Sequence, residues 1–183
     1  PKASFVALEL FALLNDEQRI SPEFWMLYHP QFAMISSDMK NYLFSNIQKF
    51  REKLGAEKVD ELVGFQINSD LDQVLYNVAA KISVEDIDRT IQFIKQNKLQ
   101  HSKQLIGLAN IVKLFKNKVC SVKAYKKASK DMKPEEIPFA DLYANILAME
   151  PERAEEWKAW GKEIVDSLTD PKYIQWYKQL LQL

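Results

Sequence analysis

The chain has 183 residues, enough for one domain or one continuous stack of repeats whose hydrophobic core needs no disulfide bonds. Hydrophobic residues make up 47% of the chain and charged residues 27%, a balance that is typical of a packed protein and argues against disorder. Lysine and arginine together number 25, as do aspartate and glutamate, so the net charge gives no reason to expect a nucleic-acid or membrane ligand.

Cysteine and glycine usage excludes further classes of protein. Cys120 is the only cysteine, so no intramolecular disulfide can form, and this is compatible with a reducing compartment. The four glycines are widely separated, which excludes the clustered glycines of phosphate loops and dinucleotide fingerprints. No apolar run approaches the roughly 20 residues of a membrane-spanning helix. The chain begins at Pro1 without a methionine, so we expect any targeting segment to lie before it.

Apolar residues at helical spacing predict three helices before residue 55. The first has its apolar face within residues 5–12, and the second begins with Ser21 as N-cap and Pro22 at the first helical position. Pro30 keeps the second helix short, and we interpret the aromatic residues between 24 and 35 as core. The third begins at Ser37, and Gly55 follows it where a left-handed C-cap is expected.

The middle of the chain predicts four helices, which begin near Ala56, Ser69, Ser83 and Ser102. Ser83 and Asp86 have the spacing of a capping box, the polar residues at 69–72 repeat the capping signal, and Ser102 is expected to accept from the free amides of its helix. Residues 83–116 carry two apolar stripes with a short polar break between them. This segment predicts a helical hairpin that needs neighbours to bury its faces.

The last third predicts four more helices, which begin near Cys120, Pro138, Pro151 and Asp170, the first of them spanning residues 119–130. No segment alternates with a period of two, so no strands are predicted. Taken two at a time, the helix starts are 27 to 37 residues apart, which is near the 34-residue period of a tetratricopeptide-type pair. We predict an all-α fold of about nine to eleven helices stacked in antiparallel pairs like an α-solenoid, in a single domain over residues 1–183. An irregular helical bundle is the alternative.

The succession of capped helical pairs resembles the degenerate helical-repeat proteins of the pentatricopeptide and tetratricopeptide class. Residues 21–25 (SPEFW) and the hairpin of residues 83–116 carry this resemblance, although the tetratricopeptide signature of Trp, Leu-Gly, Tyr and Ala is absent. Among such proteins the chain is similar to the small helical-repeat subunit attached to the catalytic head of the mitochondrial ATP synthase in euglenozoan protists. The resemblance implies a non-catalytic subunit of a larger assembly in the mitochondrial matrix, and it assigns no site residue.

No residue pattern predicts a catalytic, cofactor-binding or metal site. His29 and His101 are the only histidines, and neither has a Glu, Asp or His partner at ligand spacing along a helix. Cys120 is not followed by a histidine-bearing motif, so we interpret it as a buried, inert thiol. The serines that precede apolar runs are explained as helix caps.

Charge is segregated in the last third of the chain. Residues 113–133, the lysine block, contain eight lysines against Asp131 alone, and residues 135–170 contain ten acidic residues against three basic ones. A lysine block can bind phosphate backbones, but this one has no arginine and few aromatics for base contacts. It is otherwise a solvated face, or a surface that meets an acidic partner or the acidic segment of the same chain. The candidate basic surface residues are Lys113, Lys116, Lys123, Lys126, Lys127 and Lys130.

Three of the four tryptophans lie in the last two predicted helices. Trp160 lies off the apolar stripe that contains Trp157, and Trp176 is likewise displaced from the stripe of its own helix. Large aromatic side chains outside the core stripe are the usual anchors of a protein interface. We therefore name Trp160, Trp176 and Tyr173 as interface candidates. A helix that is buried on two sides is the competing explanation.

These observations favour a non-catalytic helical-repeat scaffold or accessory subunit that binds a larger protein assembly. An RNA-binding helical-repeat protein that uses the lysine block is the alternative. A third hypothesis, an all-α enzyme, lacks a nucleophile–base pair or metal constellation in the sequence. We expect protein partners, no membrane insertion and an intracellular location. That location is the mitochondrial matrix if the resemblance holds, and the cytoplasm otherwise.

Overall fold

The computed structural model describes residues 41, 44–77 and 80–183, and every regular element in these ranges is helical. They contain no strands, which confirms the prediction of an all-α fold for this part of the chain. The helices predicted to begin near residue 5, at Ser21 and at Ser37 have their starts outside the described residues. The elements are α1 (Ile47–Leu54), α2 (Ala56–Tyr76), α3 (Val84–Gln96), α4 (Ser102–Lys116), α5 (Val122–Ala128), α6 (Phe139–Met149), α7 (Ala154–Ser167) and α8 (Pro171–Leu181), with 3₁₀ helices at Pro134–Glu136 and Pro151–Arg153.

The chain divides into two compact units, residues 1–69 and 70–183, and the boundary falls inside α2 rather than in a linker. In the first unit α1 is followed by Gly55, whose φ of 91° only glycine adopts readily. Glycine therefore occupies the predicted C-cap position, but the prediction of a left-handed cap is wrong, because its ψ of 137° is extended. The Nε of Arg51 donates to Oδ1 of Asp60 at 2.7 Å, which joins α1 to α2 through a largely buried ion pair.

The prediction of a separate helix beginning at Ser69 is wrong, because α2 continues unbroken to Tyr76. Buried apolar residues keep helical spacing on both sides of Ser69, from Val63 and Ile67 to Leu71. Burial of this continuous stripe favours continuing the helix over starting a new one. The capping pattern of residues 69–72 is therefore not used.

The second unit contains the predicted helical hairpin, in which α3 packs against α4. The Ser83 hydroxyl accepts from the Asp86 N–H at 3.0 Å, and the Asp86 carboxylate accepts from the Ser83 N–H at 2.9 Å. The predicted capping box is therefore confirmed. The hydrogen bond from the Ser83 N–H, and then that from its hydroxyl, hold the pKa of Asp86 below its usual value.

The prediction that Ser102 caps α4 is wrong. His101 occupies the cap position in the left-handed conformation, with φ 55° and ψ 29°, and its side chain makes no capping hydrogen bond. A capping side chain needs an extended backbone at the residue that precedes the helix. Because the turn after α3 passes through positive φ at both Lys98 and His101, Ser102 already lies in the first helical turn.

The later helices start close to the predicted positions. Pro138 and Asp170 precede α6 and α8, and Oδ1 of Asp170 accepts from the Lys172 N–H at 2.8 Å. Pro151 begins a 3₁₀ turn that leads into α7. Helix α5 ends at Ala128 rather than at residue 130, so it is shorter than predicted and Lys130 lies beyond it.

Aromatic side chains from four helices form the core between α5, α6, α7 and α8. The Phe139 ring lies 5.4 to 5.9 Å from the rings of Tyr143, Trp157, Trp160 and Tyr177, measured between centroids. Helix α7 lies close to α6 and α8 at Gly161, because this residue has no side chain. A Cβ there would lie 2.7 Å from a methyl group of Leu181 and 2.9 Å from the Phe139 ring.

The loop between α4 and α5 is tied to this aromatic core by two hydrogen bonds. The indole N–H of Trp157 donates to the Cys120 carbonyl at 3.0 Å, and the hydroxyl of Tyr125 donates to the Val119 carbonyl at 2.6 Å. Both donors are fully buried, so these bonds satisfy polar atoms that water does not reach.

Candidate functional site

Helix α8 carries two half-exposed aromatic side chains, which we call the α8 aromatic surface. Tyr173 is 51% exposed and Trp176 is 48% exposed, and a spacing of three residues places them on one side of the helix. Tyr177, four residues after Tyr173, and Leu181 lie on the adjacent side of the helix and are buried against the core. The prediction that Trp176 lies outside the core is therefore confirmed, and the interface candidate Tyr173 is exposed beside it.

The ring of Trp176 packs against the buried ring of Tyr177. The two centroids are 5.0 Å apart and the rings are nearly perpendicular, which is a favourable edge-to-face contact. Burial, followed by the proximity of Tyr173 and Asp141, raises the pKa of Tyr177 to about 12. Tyr177 is thus a neutral, packed platform, and Trp176 is held against it.

Trp160 does not belong to this surface, so the expectation that it lies outside the core is wrong. It is 4% exposed and its ring contacts those of Phe139 and Trp157, with centroids 5.4 and 5.3 Å apart. Helix α7 packs against α5, α6 and α8, so it is covered on more than one side. The prediction assumed that α7 is buried on one side only, along the stripe that contains Trp157. Because α7 is buried on more than one side, a residue outside that stripe also lies in the core.

The lysine block consists partly of residues that are paired within the chain. The Nζ of Lys113 lies 2.7 Å from Oδ1 of Asp88, and the Nζ of Lys126 lies 2.6 Å from Oε2 of Glu163. The second pair joins α5 to α7, so this lysine contacts the acidic segment of the same chain. Lys116 and Lys123 are exposed, and neither has an ion pair in the part of the chain that the structure describes.

A cleft with a volume of about 630 Å³ lies between α4 and α5, and we call it the basic groove. Four lysines line it: Lys103, Lys113, Lys127 and Lys130. The other two candidates of the lysine block that carry no ion pair, Lys116 and Lys123, are not among its lining residues. The structure thus divides the predicted basic surface into a groove and a separate exposed part.

Sequence reasoning missed Lys103 and Ile106, which also line the groove. Both precede the lysine block, so a count of charges along the chain does not include them. The signal that would have found them is helical periodicity, because Lys103, Ile106, Asn110, Lys113 and Asn117 recur every three or four residues along one side of α4.

Cys120 and His101 are the candidate reactive residues within the described ranges. Cys120 is buried, and burial, followed by the proximity of Glu150, raises the pKa of its thiol, so it holds its proton and is a poor nucleophile. His101 is exposed in the turn before α4. The described residues hold no group of three or more His, Cys, Asp and Glu side chains placed to bind a metal ion. His29 lies outside these residues.

None of the helices in the described ranges combines the length and apolar character needed to cross a membrane. In comparisons with known proteins, no family model, no curated protein sequence and no solved structure matches this chain.

Proposed function

We propose that this protein is a non-catalytic helical scaffold or accessory subunit that binds a larger protein assembly. The observation that carries the proposal is the α8 aromatic surface. Tyr173 and Trp176 are large side chains with an apolar body and a polar tip, and such residues dominate the binding energy of protein interfaces. Because Trp176 already rests on Tyr177, ordering it in a complex costs little side-chain entropy.

The gain from covering this surface is large enough to matter. About half of each residue's surface remains exposed, which corresponds to about 100 Å² per residue for aromatics of this size. At about 25 cal/mol per Å², covering each residue would contribute at most about 2.5 kcal/mol to binding. Two such anchors are typical of the centre of an interface rather than of its rim.

The proposed architecture is a stack of antiparallel helical pairs. Sequential packing supports it, because α3 lies against α4, α4 against α5, and α7 against α8. Within the described residues, the side of α8 that carries Tyr173 and Trp176 is about half exposed, which makes it available to a partner.

The catalytic head of the mitochondrial ATP synthase is the candidate assembly, because the sequence resembles that of a helical-repeat subunit attached to this head. This candidate places the protein in the mitochondrial matrix. Native gel electrophoresis of solubilised mitochondria from the source organism tests it, since the protein should migrate with the subunits of the catalytic head. Migration with a different assembly would remove this partner and leave the scaffold proposal intact.

The scaffold proposal itself is tested by affinity purification from the native source, with mass spectrometry of the bound proteins. The wild type should recover a defined, nuclease-resistant set of proteins, and the double variant Tyr173→Ala, Trp176→Ala should lose it. Tyr76→Ala is the matched control, because Tyr76 is 63% exposed and lies on another helix. Recovery of free monomer, or full retention of the partners by the double variant, would contradict the proposal.

RNA binding by the lysine block is the second candidate function. Lys116, Lys123, Lys127 and Lys130 favour it, since none has an ion pair within the described part of the chain. It predicts binding that weakens steeply with salt and is lost on charge reversal of Lys123, Lys126 and Lys127. Filter binding of a labelled single-stranded RNA between 50 and 200 mM salt measures this dependence.

A further inference from the structure

The basic groove differs from an ordinary solvated lysine face because its lining also includes apolar side chains, which we call the floor. These are Ile106 and Leu114 on α4, and Ala124 and Ala128 on α5. The two alanines are four residues apart, so they stack on one side of α5 and their small size leaves the cleft open. An apolar strip of this kind between two helices is suited to a hydrophobic stripe on another segment.

The charged residues of the lining, which we call the rim, are mostly positive. Four lysines line the groove against a single carboxylate, that of Asp131. Lys113 is paired with Asp88, whereas Lys103, Lys127 and Lys130 have no ion pair among the residues that the structure describes. An occupant with carboxylates beside its apolar stripe would therefore complement both the floor and the rim.

The spread of the lysines defines the size of the occupant. Lys103 and Lys113 are ten residues apart on α4, which corresponds to about 15 Å along the helix axis. The lining continues to Asn117, so the groove extends along about four helical turns of α4. Cationic groups distributed over this length suit an extended partner with repeated carboxylates. A single phosphate would span only a small part of this length.

The composition of the lining favours a protein segment over a nucleic acid. Its polar residues besides the charged ones are Asn110 and Asn117, and it includes no arginine and no aromatic side chain. Nucleic-acid channels combine basic residues with aromatic rings on which the bases stack. This lining provides no such ring.

We propose that the basic groove binds an acidic amphipathic helix of three to four turns, contributed by a partner protein. The apolar stripe of that helix lies on Ile106, Leu114, Ala124 and Ala128, and its flanking carboxylates pair with Lys103, Lys127 and Lys130. This site is separate from the α8 aromatic surface. The proposal therefore stands whether or not α8 has a partner.

A designed peptide is the probe. It has about fourteen residues, with leucines at positions i, i+3, i+7 and i+10, glutamates at most other positions, a helix-stabilising lactam and a fluorescent label. Fluorescence anisotropy with the full chain should show saturable binding. A peptide of the same composition with the leucines scrambled should bind at least tenfold more weakly, because it carries the charge without the stripe.

Two matched pairs of charge reversals locate the site. Lys127→Glu with Lys130→Glu should weaken binding of the probe at least tenfold. Lys116→Glu with Lys123→Glu makes the same change in net charge within the lysine block but outside the groove, and it should weaken binding less than threefold. Ala124→Trp fills the floor without changing the charge and should also abolish binding. Circular dichroism establishes that each variant is folded.

Four outcomes would overturn the proposal. Equal binding of the scrambled peptide, or equal effects of the two charge-reversal pairs, would show diffuse electrostatic attraction. Tighter binding of a labelled twelve-residue oligouridine, with displacement of the peptide, would make the groove a nucleic-acid site. Displacement by inorganic triphosphate at an equal concentration would make it a site for small anions. The variant Tyr173→Ala, Trp176→Ala should bind the peptide normally. That result would show that binding in the basic groove does not depend on the α8 aromatic surface.

Discussion

Helices α7 and α8 each carry a pair of large aromatic residues three positions apart, yet the two pairs have opposite surroundings. Trp157 and Trp160 on α7 are 0% and 4% exposed, whereas Tyr173 and Trp176 on α8 are about half exposed. The spacing within each pair is the same, so periodicity does not distinguish them. The difference lies in the neighbours, because α7 packs against α5, α6 and α8.

This comparison shows that the number of helices packed around an element decides what its aromatic residues do. On α7 they form the core and stabilise the fold. On α8 the side that carries Tyr177 joins that core, while the adjacent side that carries Tyr173 and Trp176 remains available for binding. Mutations at equivalent positions of the two helices should therefore affect different properties, stability for α7 and association for α8.

The largest expected effect comes from the core pair. Trp157→Ala should lower the free energy of unfolding by about 3 to 5 kcal/mol, because it leaves a cavity and removes the hydrogen bond to the Cys120 carbonyl. Trp176→Ala should lower it by less than about 1 kcal/mol, since half of its ring is already in water. Urea denaturation followed by far-UV circular dichroism measures both values. Equal losses would contradict the inference that the aromatic residues of α7 stabilise the fold and those of α8 serve association.

The next effect concerns the close contact between α7 and α8. Gly161→Ala should lower the free energy of unfolding by about 1 to 3 kcal/mol, because its Cβ would meet the Leu181 methyl groups and the Phe139 ring below 3.0 Å. Leu181→Ala should cost less in the Gly161→Ala background than in the wild type, since it removes the clashing methyl groups. A double-mutant cycle by urea denaturation measures this coupling. Additive costs would mean that the glycine is not a packing requirement.

The inner side of α8 should be detectable at alkaline pH. Tyr177 has a pKa of about 12 in the folded state, above the ordinary value of 10, so its contribution to stability is complete below pH 10 and is lost as the pH rises towards 12. Tyr177→Phe should therefore lose about 1 kcal/mol less stability than the wild type between pH 9 and pH 11. Urea midpoints at these two pH values provide the measurement. Parallel losses in the two proteins would show that Tyr177 ionises freely in the folded state.

The smallest effect concerns the start of α8. Asp170→Ala removes the acceptor for the Lys172 N–H and should lower the free energy of unfolding by about 0.5 to 1 kcal/mol, whereas Asp170→Asn should retain most of it. Hydrogen exchange in the first turn of α8 should rise in the alanine variant. If exchange does not change, the side-chain cap does not order the turn below the α8 aromatic surface.

Local signals in the sequence predicted the element boundaries best where they agreed with tertiary packing. The capping box of Ser83 and the Asp-Pro start at residue 170 are short-range patterns, and both are confirmed. The capping pattern at Ser69 is as good locally, but the apolar stripe of α2 passes through it. Ser102 failed as a cap because the preceding turn has a conformation that the residue pattern does not encode.

The candidate surfaces were predicted only in part, for reasons that depend on contacts between distant residues. Exposure of Trp176 followed from its displacement from the apolar stripe of α8, but the same reasoning was wrong for Trp160. The lysine block was evident in the sequence, whereas the groove was not, because its walls come from two helices and include Lys103 and Ile106. Pairing of Lys126 with Glu163, 37 residues away, likewise depends on the packing of α5 on α7.

Two hydrogen bonds tie the aromatic core to the loop between α4 and α5, the helices that form the two walls of the basic groove. Because Trp157 and Tyr125 hold the adjacent Cys120 and Val119 carbonyls, the core restrains the loop that joins these walls. This restraint reduces the conformational freedom that a ligand would have to remove on binding. A change that loosens the aromatic core would therefore weaken binding in the groove even though no residue that lines it has been altered.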